Sequence, residues 1–431
     1  MRRRPFILFF SLLLIFFLVC WPAYYMRYKK DVDIVPQSER EYQGLITIMD
    51  FPHPSENDPT GFSWIKTETA RFQKLHPGVV IDFVPLNYSD GYARLESSVR
   101  TGVYPDIAPV GGDYWYISKD ILQPLNEYID DTRVYKQGVI EEVSKDDNIY
   151  GLPWAITSDV VFINKDLLSK LKNGEDNTAT GFNDMLAVLE KKNEASKGNK
   201  AYAMGGYIGM DDYTLLPFLF KNGKIYNDEG EPEFNKIKHG YEFFCDLSNR
   251  GLLTENFGTD NKNNAWNNFI EDDTIVCIPY NVSGTRKLKE LSDSKFAAYH
   301  YPSDIKSVKK VYAYSVFKQK DPKKTEMAIK FIKQITSEDK QTELKKFNLI
   351  PVFKSQSDLY RGDKAMEKII DISNDAKYLP RNEHFEMLDE IIKTHLRQVV
   401  LGAEKPDEAA EKTKREYNEC ISALHKSKAD R

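Results

Sequence analysis

Residues 148–168 read NIYGLPWAITSDVVFINKDLL, an apolar run bounded on one side by Tyr150-Gly151 and on the other by Asn164-Lys165-Asp166. The run is apolar and rich in β-branched residues along most of its length. Upstream, LITIMDF (45–51), GVVIDFVPL (78–86) and YPDIAPV (104–110) are strand-like. The segments between them place Ile65, Phe72 and Leu75, then Tyr92, Leu95 and Val99, at helical spacing. Strand–helix–strand–helix–strand at these distances makes a parallel α/β sheet.

Downstream of the long run the chain is more helical. Stripes at 182–192, 215–220 and 237–247 suggest helices, and 275–279, 297–301 and 312–317 read as strands. Residues 325–336 carry Ala328, Ile329, Ile332 and Ile335 on one helical face, and two further helices are expected over 382–401 and 406–424. Residues 31–44 read as a linker.

The amino terminus is different. MRRRP precedes FILFFSLLLIFFLVCWPAYY, an uncharged stretch of the length that a helix needs to cross a bilayer. Residues 1–30 are read as a signal-anchor, with a cleaved export signal and a lipidated Cys20 as alternatives. Basic residues stand on both sides of the stretch (Arg2, Arg3, Arg4 before it; Arg27, Lys29, Lys30 after), so orientation is open. An extracytoplasmic body is the expectation.

Composition narrows the function. Of 431 residues, 60 are basic and 65 acidic, and six of the basic ones lie in the first thirty positions, where there is no acid. The body is therefore acidic and has no positive field to gather a nucleic acid. Four dispersed cysteines offer neither a disulfide framework nor a CxxC metal site. Seven histidines show no HExxH spacing, and no GxSxG elbow, Walker loop or GxGxxG turn occurs. No catalytic group, metal or cofactor is called for. The lysine runs at 306–310 and 320–324 read as solvated faces.

Several blocks, in order, resemble the extracellular solute-binding proteins of carbohydrate ABC transporters, the maltose-binding type. They are LITIMDF, RFQKLHPGVVIDFVPL, YPDIAPV, ILQPLNEYID (121–130) and the 148–168 run, followed by YAYSVFKQKDPKKTEMAIKFIKQITSEDKQ (312–341) and GAEKPDEAAEKTKREYNECIS (402–422). The resemblance implies a two-lobed, type II periplasmic-binding-protein-like α/β fold, with the chain crossing between lobes near Ile156–Ser158, 303–308 and 350–352. On that reading 45–157 with 308–350 make one lobe, and 158–303 with 352–425 the other. The resemblance also implies a carbohydrate captured in the interlobe cleft, ABC permease subunits as partners and a monomeric ectodomain. A sensor or adhesion ectodomain on the same fold, or a secreted carbohydrate-active enzyme, is the alternative. One departure stands out: IVCIPYNVSGT (275–285) has Tyr280 and no tryptophan where the family places one.

A sugar presents hydroxyl edges and an apolar face, so its site wants flat rings beside Asp, Asn or His. The candidates at strand ends are Phe51 and His53; Asp113, Tyr114 and Trp115; Trp154 and Thr157 at the crossing; and Tyr207, Asp211, Tyr280 and Asn281 in the second lobe. Each has a plainer reading. Asp113 caps the helix that follows, Trp154 is hinge core, and any of the rings is a packing residue. His53, between two prolines, is expected at the surface. Trp64 and Trp266 are assigned to packing.

Overall fold

The computed structural model describes residues 41–171, 200–209, 212–220, 225–290, 295–301 and 305–429, with isolated positions among 16–21 and 186–193. Two compact units divide the chain, Met1–Gln43 and Gly44–Arg431, and every strand described lies in the second. The expected helix at 182–192 and the apolar amino-terminal stretch fall largely outside the described residues. Among the residues described, no helix is long and apolar enough to cross a membrane.

The strands are β1 (Gly44–Asp50), β2 (Val79–Pro85), β3 (Ile107–Ala108), β4 (Ser144–Lys145), β5 (Asn148–Ile149), β6 (Leu152–Asn164), β7 (Tyr202–Met204), β8 (Ile275–Asn281), β9 (Phe296–Tyr299), β10 (Val308–Val316), β11 (Ile350–Pro351) and β12 (Lys377–Tyr378). β1 pairs with β2 and β3 in parallel, as the strand–helix alternation requires. β10 then inserts antiparallel between β3 and β6. The third strand is shorter than its apolar run because Ile107 and Ala108 alone meet β10.

β6 joins the two halves. Its first part, Leu152 to Ser158, pairs with β10, and the rest, Asp159 to Ile163, pairs with β8. β9 covers the other edge of that second part, and β7 extends the sheet parallel to β8. One strand thus serves two lobes, with the switch of partner between Ser158 and Asp159. The buried cluster around Phe51, Leu95, Tyr116 and Phe317 is the core of the first lobe. A larger cluster around Tyr241, Phe244, Phe257, Ile392 and Leu396 fills the second. The molecule is a two-lobed α/β protein.

Helices close these cores with ordinary chemistry. Pro322–Thr336 starts at Asp321, whose carboxylate accepts from Lys323 N at 2.9 Å, and a proline at its first position needs no donor there. It buries Ala328, Ile329, Ile332 and Ile335, the face read from the sequence. Ser63–Leu75 buries Trp64, Ile65 and Phe72 together with Glu68, whose charge is met by Lys340 at 2.7 Å.

Candidate interlobe binding site

Strand ends bring the first-lobe residues together. β1 ends in Asp50, and its neighbour Phe51 lies in a ring stack, 4.4 Å from Tyr92 and 5.2 Å from Tyr88 between centroids. Tyr88 is 42% exposed and donates its hydroxyl to the Pro52 carbonyl at 3.1 Å. Burial, then Tyr312 and Tyr92, holds its phenol well above the ordinary range. After β3 the chain passes so close to β10 that a Cβ on Gly112 would stand 1.9 Å from the Val311 carbonyl oxygen. Only glycine fits there. The next residue, Asp113, accepts from Trp115 N at 3.0 Å and caps the short helix Tyr114–Ser118.

The second-lobe wall rests on Asp212. Tyr207 and Thr214 donate their hydroxyls to its carboxylate, and Lys262 Nζ lies 3.3 Å away. Burial works against this charge, but Lys262 and the hydroxyls outweigh it and keep the carboxyl below its ordinary value. Asp159, on β6, is driven the other way by burial and by Asp212. The Lys262 ammonium also sits 5.0 Å over the ring of Tyr280, whose phenol is pushed up to about 12, chiefly by burial.

Several contacts bridge the lobes. Lys310, on β10, places its ammonium 5.9 Å from the ring centroids of both Tyr92 and Tyr213. Tyr213 stacks on Phe385 at 5.7 Å and meets Lys393 at 4.8 Å. Asp113 and Glu386 bring their carboxyl groups within hydrogen-bonding reach across the gap, and burial raises both, Glu386 strongly. At the rim, Arg381 covers the Tyr114 ring at 5.2 Å and Lys119 pairs with Glu383 at 3.3 Å. Rings, carboxylates and ammonium groups around one gap are equipped to hold a hydroxylated guest. Among the described residues, no cluster of three or more His, Cys, Asp or Glu is arranged for a metal ion.

Not every residue singled out from the sequence lies on this gap in the same way. Phe51, Asp113, Tyr114, Tyr207 and Tyr280 stand as described. Thr157 is opposite Lys310 in the β6–β10 ladder, and Trp115 is partly buried beside Tyr116 and Lys119. Asn281 turns back on its own loop, accepting from Ser283 N at 3.1 Å. Trp154 is only 2% exposed and stacks on Trp64 at 4.8 Å. His53 is not at the surface: it is 7% exposed, 3.3 Å from Asp50 and 4.6 Å from the Trp154 ring. The flanking prolines fix its loop, and the buried Asp50 carboxylate draws the imidazole inward. Asp211 and Cys20 lie outside the described residues.

Tyr88, Tyr213, Lys262, Lys310 and Glu386 were not expected. Lys310 had been counted with a solvated lysine run. Its spacing of two from Tyr312 on a strand was the available signal, since alternate strand residues share a face. Glu386 carried no signal, because the partner that gives it meaning is 273 positions away in sequence, at Asp113.

The fold has known counterparts. The chain superposes on the acarbose receptor GacH of Streptomyces glaucescens with a TM-score of 0.70 at 18% identity, covering 88% of this chain and 98% of that one. A maltose-bound MalE3 of T. maritima gives 0.71 at 16% identity, over 87% and 99%. In sequence, a binding protein of Brucella abortus (strain 2308) is 20% identical over 350 residues, which is 78% of this chain and 84% of the relative. The galactooligosaccharide-binding protein of Bacillus subtilis (strain 168) is 24% identical over 178 residues, 41% of this chain and 38% of its own. With its profile matched over residues 69–368, the chain belongs to the bacterial extracellular solute-binding protein family.

Proposed function

We propose that this protein captures a carbohydrate in the interlobe cleft and delivers it, unaltered, to an ABC permease. The observation that carries this reading is the convergence of rings from both lobes, Tyr92 and Tyr213, on either side of Lys310. Flat rings take the apolar face of a sugar, and the carboxylates and ammonium groups beside them take its hydroxyls. Support also comes from the relatives: one is named for a galactooligosaccharide, and one of the solved structures holds maltose. The ligand-facing set proposed is Phe51, Tyr88, Tyr92, Asp113, Tyr213, Tyr280, Lys310 and Glu386, with Tyr114, Trp115, Thr157 and Tyr207 behind them.

In this reading the lobes are 45–157 with 308–350, and 158–303 with 352–425. They close by bending where β6 changes partners, a hinge motion between open and closed states. Residues 1–30 hold the body, a monomer, at the outer face of the cell membrane. The cleft binds and releases without chemistry. Calorimetric titration of the purified chain with a panel of oligosaccharides tests it. Saturable heat with at least one sugar is expected, and silence across the panel would undo the carbohydrate assignment.

A further inference from the structure

Along one seam of the cleft, acid faces acid. Asp113, on the loop after β3, meets Glu386, in the first turn of helix Phe385–Val400. One turn further on, the carboxyl of Glu390 is raised by its own burial and then by the negative charge of Glu96. Two carboxylates at hydrogen-bonding distance cannot both stay charged unless a proton or a cation stands between them.

The nearby cations are mostly engaged. Lys262 pairs with Asp212, Lys393 with Asp389 Oδ2 at 2.5 Å, and Arg100 with Glu96 at 2.5 Å. Lys310 remains, over the Tyr92 and Tyr213 rings, and it is the cation that acts on both Asp113 and Glu386.

A second observation is independent of this charge count. Glu386 Oε2 and Asp389 Oδ1 are sealed from water and accept no hydrogen bond, and Asp389 is 1% exposed. They stand three positions apart, on one face of the same helix. Buried acceptors left empty are costly, so this pair calls for a donor. Hydroxyls would supply hydrogen bonds without charge, whereas an ammonium supplies three donors and a positive charge. Tyr92 and Tyr213, each with the Lys310 ammonium 5.9 Å from its ring centroid, add ring faces that also favour a cation.

Resting on the carbohydrate reading above, we propose that the preferred guest is an amine-bearing saccharide whose ammonium seats between Asp113 and Glu386. On binding, the ammonium takes the place of the proton that the two carboxyls share, and that proton leaves to solvent.

The test compares matched saccharides that differ only in this group: glucosamine and galactosamine oligomers against their hydroxyl and N-acetyl counterparts. Titrations of the full chain are run in buffers of different ionisation enthalpy. The amine forms are expected to bind about tenfold tighter or more, with release of up to one proton that the neutral forms do not show. Glu386→Gln should abolish both the advantage and the proton release, read as the ratio of amine to neutral affinity on the same variant. Asp389→Asn, with its melting temperature recorded, serves if the first variant fails to fold, and should reduce the advantage. Neutral sugars binding as tightly as their amine forms, or an advantage unchanged in either variant, would overturn the amine assignment and leave the carbohydrate reading standing. If no saccharide of any kind binds, both fall.

Discussion

Trp154 lies between Trp64 and His53, with Phe347 at 5.9 Å, and almost none of it reaches solvent. Trp154→Ala is therefore expected to cost about 3–5 kcal/mol of stability, seen as a lower midpoint in guanidinium unfolding. Tyr213 is the contrasting case, since its ring lies on the gap beside two ammonium groups. Tyr213→Ala should weaken saccharide binding by about 1–3 kcal/mol in calorimetry. Glu142 gives a prediction in pH. Burial, only partly offset by Arg381, lifts its carboxyl to about 7. In the unfolded chain the same group ionises near its ordinary 4.5. The folded protein thus holds a proton that the unfolded one loses, and the stability this contributes is full below about pH 4.5 and gone above about pH 7. Glu142→Gln should flatten that part of the melting-temperature profile between those values. The aromatic candidates were legible one by one, because a ring after a strand is visible in the sequence. Which of them is core and which faces the gap was not, since Trp154 and Tyr114 differ only in what distant segments bring against them, and Tyr213 was not among them at all.

The loop between β3 and the Tyr114–Ser118 helix depends on two close approaches. Gly112 abuts the Val311 carbonyl, and a Cβ on Gly111 would stand 2.7 Å from the Gly151 Cα. Gly112→Ala should push this loop off β10 and destabilise the protein by about 1–3 kcal/mol, and it should weaken ligand binding because Asp113 moves with it. A melting curve and a titration on the same sample check both effects. At this scale the sequence was informative wherever an element is defined by its own residues. Ser63–Leu75 and Pro406–Ala429 begin where the pattern begins, and β1 and β8 follow their apolar runs to within two residues. It was uninformative where an element exists only by pairing. The span of β3 is set by β10, and β11 and β12 are two-residue strands on β6 and β10. The role of β6 as the shared strand came from the family resemblance of the 148–168 run, not from any pattern internal to it.

Across the whole molecule, β6 runs through both lobes, whose facing walls carry charge and rings. If β6 is the pivot, a bound saccharide should draw the lobes together. The radius of gyration from solution scattering is expected to fall on adding a ligand that titrates, and a radius unchanged at saturation would mean that the lobes do not close. The same topology sets an order on assembly. β10 completes the first sheet by pairing with β3, and Tyr314 on that strand donates to Asp50 at 2.9 Å, so residues more than 260 positions apart must meet before either is satisfied. A chain still missing its last third has an unzipped first sheet, with the β3 edge and the Asp50 carboxylate both waiting. Such a chain stays pliable until it is nearly finished, which suits a polypeptide that must be threaded through a narrow channel before it takes shape on the far side.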